Sequence, residues 1–338
     1  MHGESSRSVT LSALSGIFVL SIPAVSLILL GSLTALFDAQ TFAISIVLLI
    51  VGLGTLLSIR FEWHAAVRSS ELPQLGHGEM IYTVLAILWG TILALAVVVE
   101  FTLSPIVAAG GVGIVAAVFV PKYAVPAYCG AFVGMTSPEL FTSYWHALLA
   151  GGFASGVFLL VQPVFYGVGG KLGTTAFVGA TLTVITTSGA FQSGPLPGDT
   201  TIFLVVLYAV IGATVTFSIH ARFSPDPVFA SGVVGAAGGI ILPVVYGGAG
   251  QIMAAGVFAA SFAGMTDPKR IPNELWIALT GAIVGIVVIY TMPHFGGSGG
   301  KLGTVAFGSA LAVHGFLGTL HIIRVRKRLK DFPRRDST

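Results

Sequence analysis

Two glycine-rich segments, each with a single lysine, are the parts of this chain whose residue types and spacing suggest chemistry. They are GVGGKLGTTAF from Gly167 to Phe177 and GGSGGKLGTVAF from Gly296 to Phe307, so Gly-Gly-Lys-Leu-Gly-Thr occurs twice, 130 residues apart. Successive glycines can turn their amides toward one point, the following helix adds free N–H groups and its positive dipole end, and lysine adds a full charge. Such a site favours an anion or the oxygen atom of a polar neutral solute.

The predicted solute contacts in this repeated motif divide into three roles. The lysines would supply positive potential, the glycine amides would contact the solute, and the threonines would contribute hydroxyl groups. These residues are Lys171, Lys301, Gly169, Gly170, Gly299, Gly300, Thr174 and Thr304. A structural interpretation stays open, in which Pro163 and Pro293 end helices, the glycines form turns and the lysines reach toward lipid headgroups. The motif is not a P-loop, because Leu172 and Leu302 stand where serine or threonine is required.

The composition indicates that the motif belongs to a membrane protein. Of the 338 residues, 55% are hydrophobic and only 9% are charged, whereas roughly a quarter of the residues in an average soluble domain are charged. Apolar runs recur along most of the chain, each long enough to cross a hydrocarbon core of roughly 30 Å as a helix. They are apolar all round rather than alternating, which argues against a β-barrel. We therefore expect an all-α polytopic membrane protein.

Twelve apolar segments predict about twelve transmembrane helices. Two of them, 123–136 and 250–265, are short for a full crossing and are candidates for broken or re-entrant helices. The predicted spans are 9–36, 40–59, 80–100, 104–120, 123–136, 145–165, 171–191, 201–220, 227–245, 250–265, 274–292 and 303–323.

The distribution of basic residues predicts which side of the membrane each loop faces. With the N-terminus in the cytoplasm, the loops predicted to be cytoplasmic contain nearly all of the lysines and arginines, as the positive-inside rule requires. The basic C-terminal tail is then cytoplasmic too, and an inner (plasma) membrane location is expected. Lys301 is the exception, because it is the one basic residue in a loop predicted to be outside.

Sliding the chain against itself by 130 residues shows an internal repeat. Ala131–Phe177 aligns with Ser261–Phe307 without a gap, with 19 of 47 positions identical. The anchors include FVGMTSP with FAGMTDP and GGKLGT with itself. This predicts a two-helix N-terminal segment and cytoplasmic loop (1–79), a five-helix repeat (80–191), a second five-helix repeat (201–323) and a basic tail (324–338).

The second repeat is predicted to be inverted relative to the first. An odd number of crossings per repeat turns the second copy upside down, and the charges agree, because TSPELFTSYW lacks the basic residues found in its partner TDPKRIPNEL. Re-entrant short segments would instead give parallel copies and leave that charge difference unexplained. Inverted repeats are typical of many transporters and some channels, whose sites lie where the halves meet.

The remaining polar residues do not suggest catalysis. All 13 acidic residues fall in loops, tails or near predicted helix ends, which argues against an ion pump built on a carboxylate in mid-membrane. No spacing of ligands predicts a metal site, and no nucleophile with a base is apparent. His314 is the deepest histidine, and its environment stays open between a polar cavity and helix packing. We expect no enzyme activity, no cofactor and no metal.

These features predict a transporter or channel for a small anion or small polar solute, with the site between two inverted repeats. The alternative is a non-transporting membrane scaffold or sensor that binds a partner through its helices and basic tail. The expected partners are the lipid bilayer and the solute but not nucleic acid, and a homo-oligomer is an open alternative.

Overall fold

The computed structural model describes residues 2–37, 41–68, 76–223 and 226–331, with the side chains of 2–10 and 329–331 outside the description. The chain is 81% helical, and the described residues form no β-strand. The twelve α-helices in this part of the chain are α1 His2–Phe37, α2 Phe42–Arg68, α3 His77–Phe101, α4 Pro105–Phe119, α5 Ala124–Gly134, α6 Tyr144–Val161, α7 Lys171–Thr186, α8 Asp199–Ser218, α9 Pro227–Tyr246, α10 Gly248–Gly264, α11 Glu274–Tyr290 and α12 Lys301–Asp331.

Most helices begin and end close to the predicted spans, and three extend well beyond them. Helix α1 already begins at His2, whereas its span was predicted to begin at residue 9. Helix α2 continues about two turns beyond the predicted span 40–59, and α12 extends from the last span into the predicted tail as far as Asp331. The carboxylates Asp38, Glu71 and Asp336, predicted to lie in loops or in the tail, fall outside the described residues.

Seven helices of the described chain are long and apolar enough to cross a membrane: α1, α2, α3, α6, α8, α9 and α12. Helices α4, α10 and α11 are apolar but shorter, and α5 has only 11 residues. Large apolar side chains such as Phe18 and Phe203 are exposed on the outer surface, as expected where lipid is the solvent. The chain is therefore a helical protein compatible with a membrane, and the count of twelve crossings stays a prediction.

The same packing pattern occurs in two groups of five helices. In the first group α3 packs on α5 and α6, α4 on α5, and α7 on α5 and α6; in the second, α8 packs on α10 and α11, α9 on α10, and α12 on α10 and α11. Helices α4 and α9 pack on each other, as do α7 and α12. The two groups therefore meet through helices that occupy the same place in each.

Small residues allow this close packing. A Cβ atom added to Gly110 would lie 2.9 Å from the carbonyl oxygen of Gly232, and the reverse contact has the same distance. The backbones of α4 and α9 thus touch, which is how membrane helices associate when no hydrophobic effect drives them together. Helix α1 packs on α2, α6, α7, α11 and α12, while α2 packs on α1 and α12. These first two helices therefore lie against the α7–α12 side of the paired groups.

Candidate functional site

The two copies of the glycine-rich loop have the same backbone conformation. Phe165, Gly167 and Gly170 have φ values of 52°, 73° and 83°, and the residues 130 positions later have 51°, 80° and 79°. We call residues related by this spacing counterparts. Positive φ is unusual for phenylalanine and costs free energy that only a well-packed loop can offset. The repeated sequence therefore specifies one defined loop, after which α7 begins at Lys171 and α12 at its counterpart Lys301.

The two loops lie against each other in the centre of the protein. A Cβ atom on Gly170 would lie 2.4 Å from the amide nitrogen of Phe307, and one on Gly173 would lie 2.5 Å from the Cα of Gly303. The first of these contacts recurs between the counterparts. Gly170 at the start of α7 lies against Phe307, and Gly173 lies against Gly303, which comes earlier in α12. The first turns of the two helices therefore run antiparallel.

Aromatic rings reinforce this contact reciprocally. Phe165 packs edge-to-face on Phe307 with ring centroids 5.1 Å apart, and the counterpart pair Phe295 and Phe177 has a separation of 5.4 Å. Edge-to-face pairs stabilise a packed core beyond the area that they bury. The phenylalanine that ends each copy of the motif therefore packs on the phenylalanine that precedes the other copy.

Each loop is also held by a threonine and a backbone amide from the other five-helix group. Gly169 N–H donates to Thr266 Oγ1 at 3.1 Å, and Gly299 N–H donates to Thr136 Oγ1 at 3.0 Å. The amide of Asp267 donates to the carbonyl of Gly167 at 2.8 Å, an interaction repeated between the counterparts. The amides of Gly169 and Gly299, which the sequence assigned to the solute, have protein acceptors in this structure.

The two motif threonines bond within their own helices. Thr174 Oγ1 donates to the carbonyl of Gly170, and Thr304 Oγ1 donates to that of Gly300, both at 3.2 Å. Both threonines are completely buried. Their hydroxyls therefore contribute to the first turn of α7 and α12, and the solute contact predicted for them has no geometric support.

The two lysines bond to carbonyls at the end of the preceding helix. Lys171 Nζ donates to Gln162 at 3.2 Å and to Val164 at 2.6 Å, while Lys301 Nζ donates to Thr291 at 2.7 Å. Carbonyls at a helix C-terminus lack intrahelical donors and carry partial negative charge, so an ammonium group is favourable there. Within the described chain neither ammonium has a carboxylate oxygen within 4.0 Å. Each lysine therefore joins the end of one helix to the start of the next.

Two cavities flank the paired loops. The first has a volume of about 510 Å³ and is lined by residues 166–173, together with His220 and Asp267 among others. The second has a volume of about 360 Å³ and is lined by residues 296–303, together with Ser137 and Gln251 among others. One lysine-bearing loop thus lines each cavity, and Lys171 and Lys301 both contribute to the lining.

Phe132 and Phe262 are the two residues that line both cavities. They are counterparts on α5 and α10, their ring centroids are 4.7 Å apart, and each is only 2% exposed. Tyr128 and Phe258, also counterparts, pack behind them at 4.2 and 4.5 Å. Sequence reasoning did not select this pair, although both phenylalanines begin the repeated Phe-X-Gly-Met-Thr segment, which was the available signal.

A hydrogen-bonded chain of hydroxyl groups lies behind one side of this aromatic cluster. Tyr128 Oη is 3.1 Å from Ser231 Oγ, which is 2.9 Å from Ser261 Oγ. Ser261 donates in turn to the carbonyl of Phe258. The hydroxyl of Tyr128 is thus satisfied by α9 and α10, and the phenol is not a free polar group facing a cavity.

Helix α2 supplies a carboxylate that the sequence analysis did not connect with the motif. Glu62 accepts a hydrogen bond from the amide of Phe165 at 2.6 Å and forms an ion pair with Arg270 at 3.1 Å. Arg270 Nε also donates to the carbonyl of Tyr166. These side chains are only partly exposed, so the pair fixes Phe165 and Tyr166 of the first loop to α2 and to the connection between α10 and α11.

The second loop is held differently at the corresponding place. Gln192 exchanges two backbone hydrogen bonds with Gly296, at 3.0 and 2.9 Å, and its side chain donates to Ser137 and Glu139. A hydrogen bond from its own backbone amide lowers the pKa of Glu139. The two loops therefore make the same contacts with each other, whereas the residues that hold Phe165 in the first loop and Gly296 in the second are different.

The other candidate polar residues lie away from the cavities or lack ligand geometry. His314 Nδ1 is 2.8 Å from Ser58 Oγ of α2, so its imidazole belongs to the α2–α12 contact. Among the described residues no three His, Cys, Asp or Glu side chains form a group suited to a metal ion. Cys129 is buried.

Comparisons with known proteins give no relative: no family model, no curated protein and no solved structure matches this chain.

Proposed function

We propose that this protein is a membrane transporter or channel for a small anion or small polar solute, whose pathway runs between the two five-helix groups. One observation carries the proposal. Two cavities, each lined by one copy of the lysine-bearing loop, share a wall formed by a pair of counterpart phenylalanines. Ligand sites at the interface of structural repeats are characteristic of transporters. Transport is favoured over catalysis because, among the described residues that line the cavities, no nucleophile is hydrogen-bonded to a base.

The contacts between counterpart helices support inverted repeats. Helices α7 and α12 contact each other in antiparallel order at Gly173 and Gly303. Helices α4 and α9 do the same, since Gly110 contacts Ala236 while Ile106 contacts Gly239. If counterpart helices run antiparallel and both cross the bilayer, one repeat is upside down relative to the other. The proposed arrangement has twelve helices, with the short α5 and α7 meeting their counterparts at the interior contact.

The loop contacts agree with the sides of the membrane predicted from charge. Glu62, Arg270 and Tyr166 meet beside the first cavity, and the first two belong to segments assigned to the cytoplasm. Gln192 and Glu139 meet beside the second cavity, and both belong to loops assigned to the outside. We therefore propose that the first cavity opens to the cytoplasm and the second to the outside, with both termini cytoplasmic in the plasma membrane. The two lysines then line cavities that open on opposite sides.

Thiol labelling tests this arrangement independently of transport. Met265 lines the first cavity and Met135 the second; they are counterparts in the same Gly-Met-Thr context, and both are partly exposed. In a Cys129→Ala background we would introduce Met265→Cys or Met135→Cys and add a membrane-impermeant maleimide from each side of sealed vesicles. We expect Met135→Cys to react from outside and Met265→Cys from the cytoplasmic side. Reaction of both from the same side would rule out inverted cavities.

Flux measurements test transport itself. The protein would be reconstituted in liposomes and assayed with a panel of small anions and neutral solutes, comparing the native chain with the Lys171→Met, Lys301→Met double variant. Lys122→Met is the matched control, because Lys122 forms an exposed ion pair with Glu79 and lines neither cavity. We expect reduced flux in the double variant and native flux in the control. Unchanged flux in the double variant would remove the lysines from the mechanism, and no flux in the native chain would favour the scaffold alternative.

A further inference from the structure

The partition between the two cavities is apolar. Phe132 and Phe262 are the two side chains that border both cavities, and their rings are in contact with a tilt of 55°. Phe258 and Tyr128 pack behind them, and the Tyr128 hydroxyl is bonded to Ser231, so no polar side-chain atom of these four residues is directed at the point of closest approach. A solute that passes from one cavity to the other through this shared wall therefore crosses between aromatic rings.

An aromatic partition of this kind discriminates by charge. An ion that enters an apolar constriction loses hydration without gaining a partner, whereas a neutral solute loses only a few hydrogen bonds. The ring faces carry negative electrostatic potential and offer little to an anion. The barrier for an ion is thus much higher than for a small neutral molecule.

The lysines do not require an anion to balance them. Lys171 donates to the carbonyl of the residue that caps the C-terminus of α6 and to that of Val164 just beyond it, and Lys301 donates to one at the end of α11. The negative ends of these helices already stabilise the ammonium charges. Positive charge on both sides of the partition also opposes the passage of cations.

We infer that the Phe132–Phe262 pair is the selectivity barrier of this protein and that the solute crossing it is a small, uncharged polar molecule. This inference rests on the proposed transport function and selects one of its two solute classes. The remaining N–H donors of the lysines, and the first-turn amides of α7 and α12, would then bind the solute's oxygen atoms on either side of the pair.

The test compares neutral uptake with ionic current in the same reconstituted protein. Urea and glycerol uptake would be measured by stopped-flow light scattering, and chloride and nitrate currents would be measured in planar bilayers. We expect the native protein to accelerate uptake of at least one neutral probe without measurable current. Chloride or nitrate currents in the native protein would overturn the inference while leaving transport intact. Absence of flux for every probe would instead refute the proposed function.

Substitutions then assign the barrier to the two rings. The Phe132→Ala, Phe262→Ala variant is expected to conduct chloride at least about tenfold above the native background, because it widens the apolar constriction. A tenfold increase in rate requires only a modest decrease in the free-energy barrier to chloride. Phe258→Ala is the matched control, because Phe258 contacts the same cluster but lines neither cavity. The Phe132→Leu, Phe262→Leu variant retains apolar bulk and should stay non-conducting. A double alanine variant that retains neutral uptake without conducting ions would place the barrier elsewhere.

Truncating two buried phenylalanines can also prevent folding. Monodisperse elution in detergent and retention of neutral uptake would therefore be required of each variant before its currents are interpreted. If the double alanine variant fails this criterion, Phe132→Ala alone is measured, with the same expected rise in chloride current. The native current measurement remains decisive in either case.

Discussion

The backbones of Gly173 and Gly303 pass so close that a Cβ atom on either would lie 2.5 Å from the Cα of the other. These residues are the glycine of Lys-Leu-Gly-Thr in each copy of the motif, and their contact is where α7 and α12 meet. A separation of 2.5 Å is shorter than any normal contact between carbon atoms. The third glycine of Gly-Gly-Lys-Leu-Gly-Thr is therefore a requirement of helix packing rather than of solute binding.

Gly173→Ala is accordingly expected to destabilise the protein. Its methyl group meets backbone, which cannot rotate away, so we expect a loss of about 1–3 kcal/mol, typical of overpacking. The thermal midpoint in detergent, followed by loss of the monodisperse peak, measures this. Gly152→Ala is the control, because a Cβ atom there would meet nothing within 4 Å, and it should leave the midpoint unchanged or raised. Equal midpoints for both variants would contradict the close contact.

Thr136→Val and Thr266→Val should each destabilise the loop of the opposite five-helix group. Each removes the hydroxyl that accepts from a buried glycine amide, at Gly299 and Gly169 respectively. An unpaired buried donor costs about 1–3 kcal/mol. Thr→Ser at the same positions retains the acceptor and should preserve most of the native stability. If the valine and serine variants melt alike, these hydrogen bonds contribute nothing specific.

The Glu62–Arg270 pair is expected to stabilise the first loop more than an exposed ion pair would. The side chains of Arg270 and Glu62 are 22% and 12% exposed, and Glu62 also accepts from Phe165. We expect Glu62→Ala to cost about 1–3 kcal/mol, because it removes the carboxylate from a partly buried guanidinium and leaves the amide of Phe165 unpaired. Glu62→Gln should cost less, since the amide oxygen can still accept from Phe165.

A double-mutant cycle checks this expectation. Combining Glu62→Ala with Arg270→Met should give a loss smaller than the sum of the two single losses, because the pair acts together. The exposed Lys122–Glu79 pair supplies the comparison, for which a coupling below about 1 kcal/mol is expected. Additive losses for Glu62 and Arg270 would show that their contact carries no coupling energy.

Lys171→Met should reduce thermal stability more than Lys301→Met. Lys171 bonds to two carbonyls and Lys301 to one, so the first substitution leaves more of a helix end without a donor. A net contribution of about 1 kcal/mol per hydrogen bond is the expected scale of the difference. Thermal midpoints of the two single variants in the same detergent decide it, and a lower midpoint for Lys301→Met would contradict the assignment of these bonds.

The sequence by itself determined the helices, because membrane helices are long apolar segments separated by loops that contain the charges. Nineteen identities in 47 aligned positions also predicted two similar units, and in the structure the packing pattern of α3–α7 recurs in α8–α12. The two loops have the same backbone conformation because they have glycines at the same positions, and glycine readily adopts a positive φ.

Only the tertiary structure decided what the motif residues contact. Local sequence gives no distance between Gly173 and Gly303, which are far apart in the chain, so their contact and the antiparallel order of α7 and α12 emerged from packing alone. The same holds for Glu62, which reached the first loop because α2 continued beyond its predicted end. The same is true of the carbonyl groups to which the lysine ammonium groups bond. Phe132 and Phe262 form the wall between the cavities because folding brings α5 and α10, which are distant in the chain, into contact.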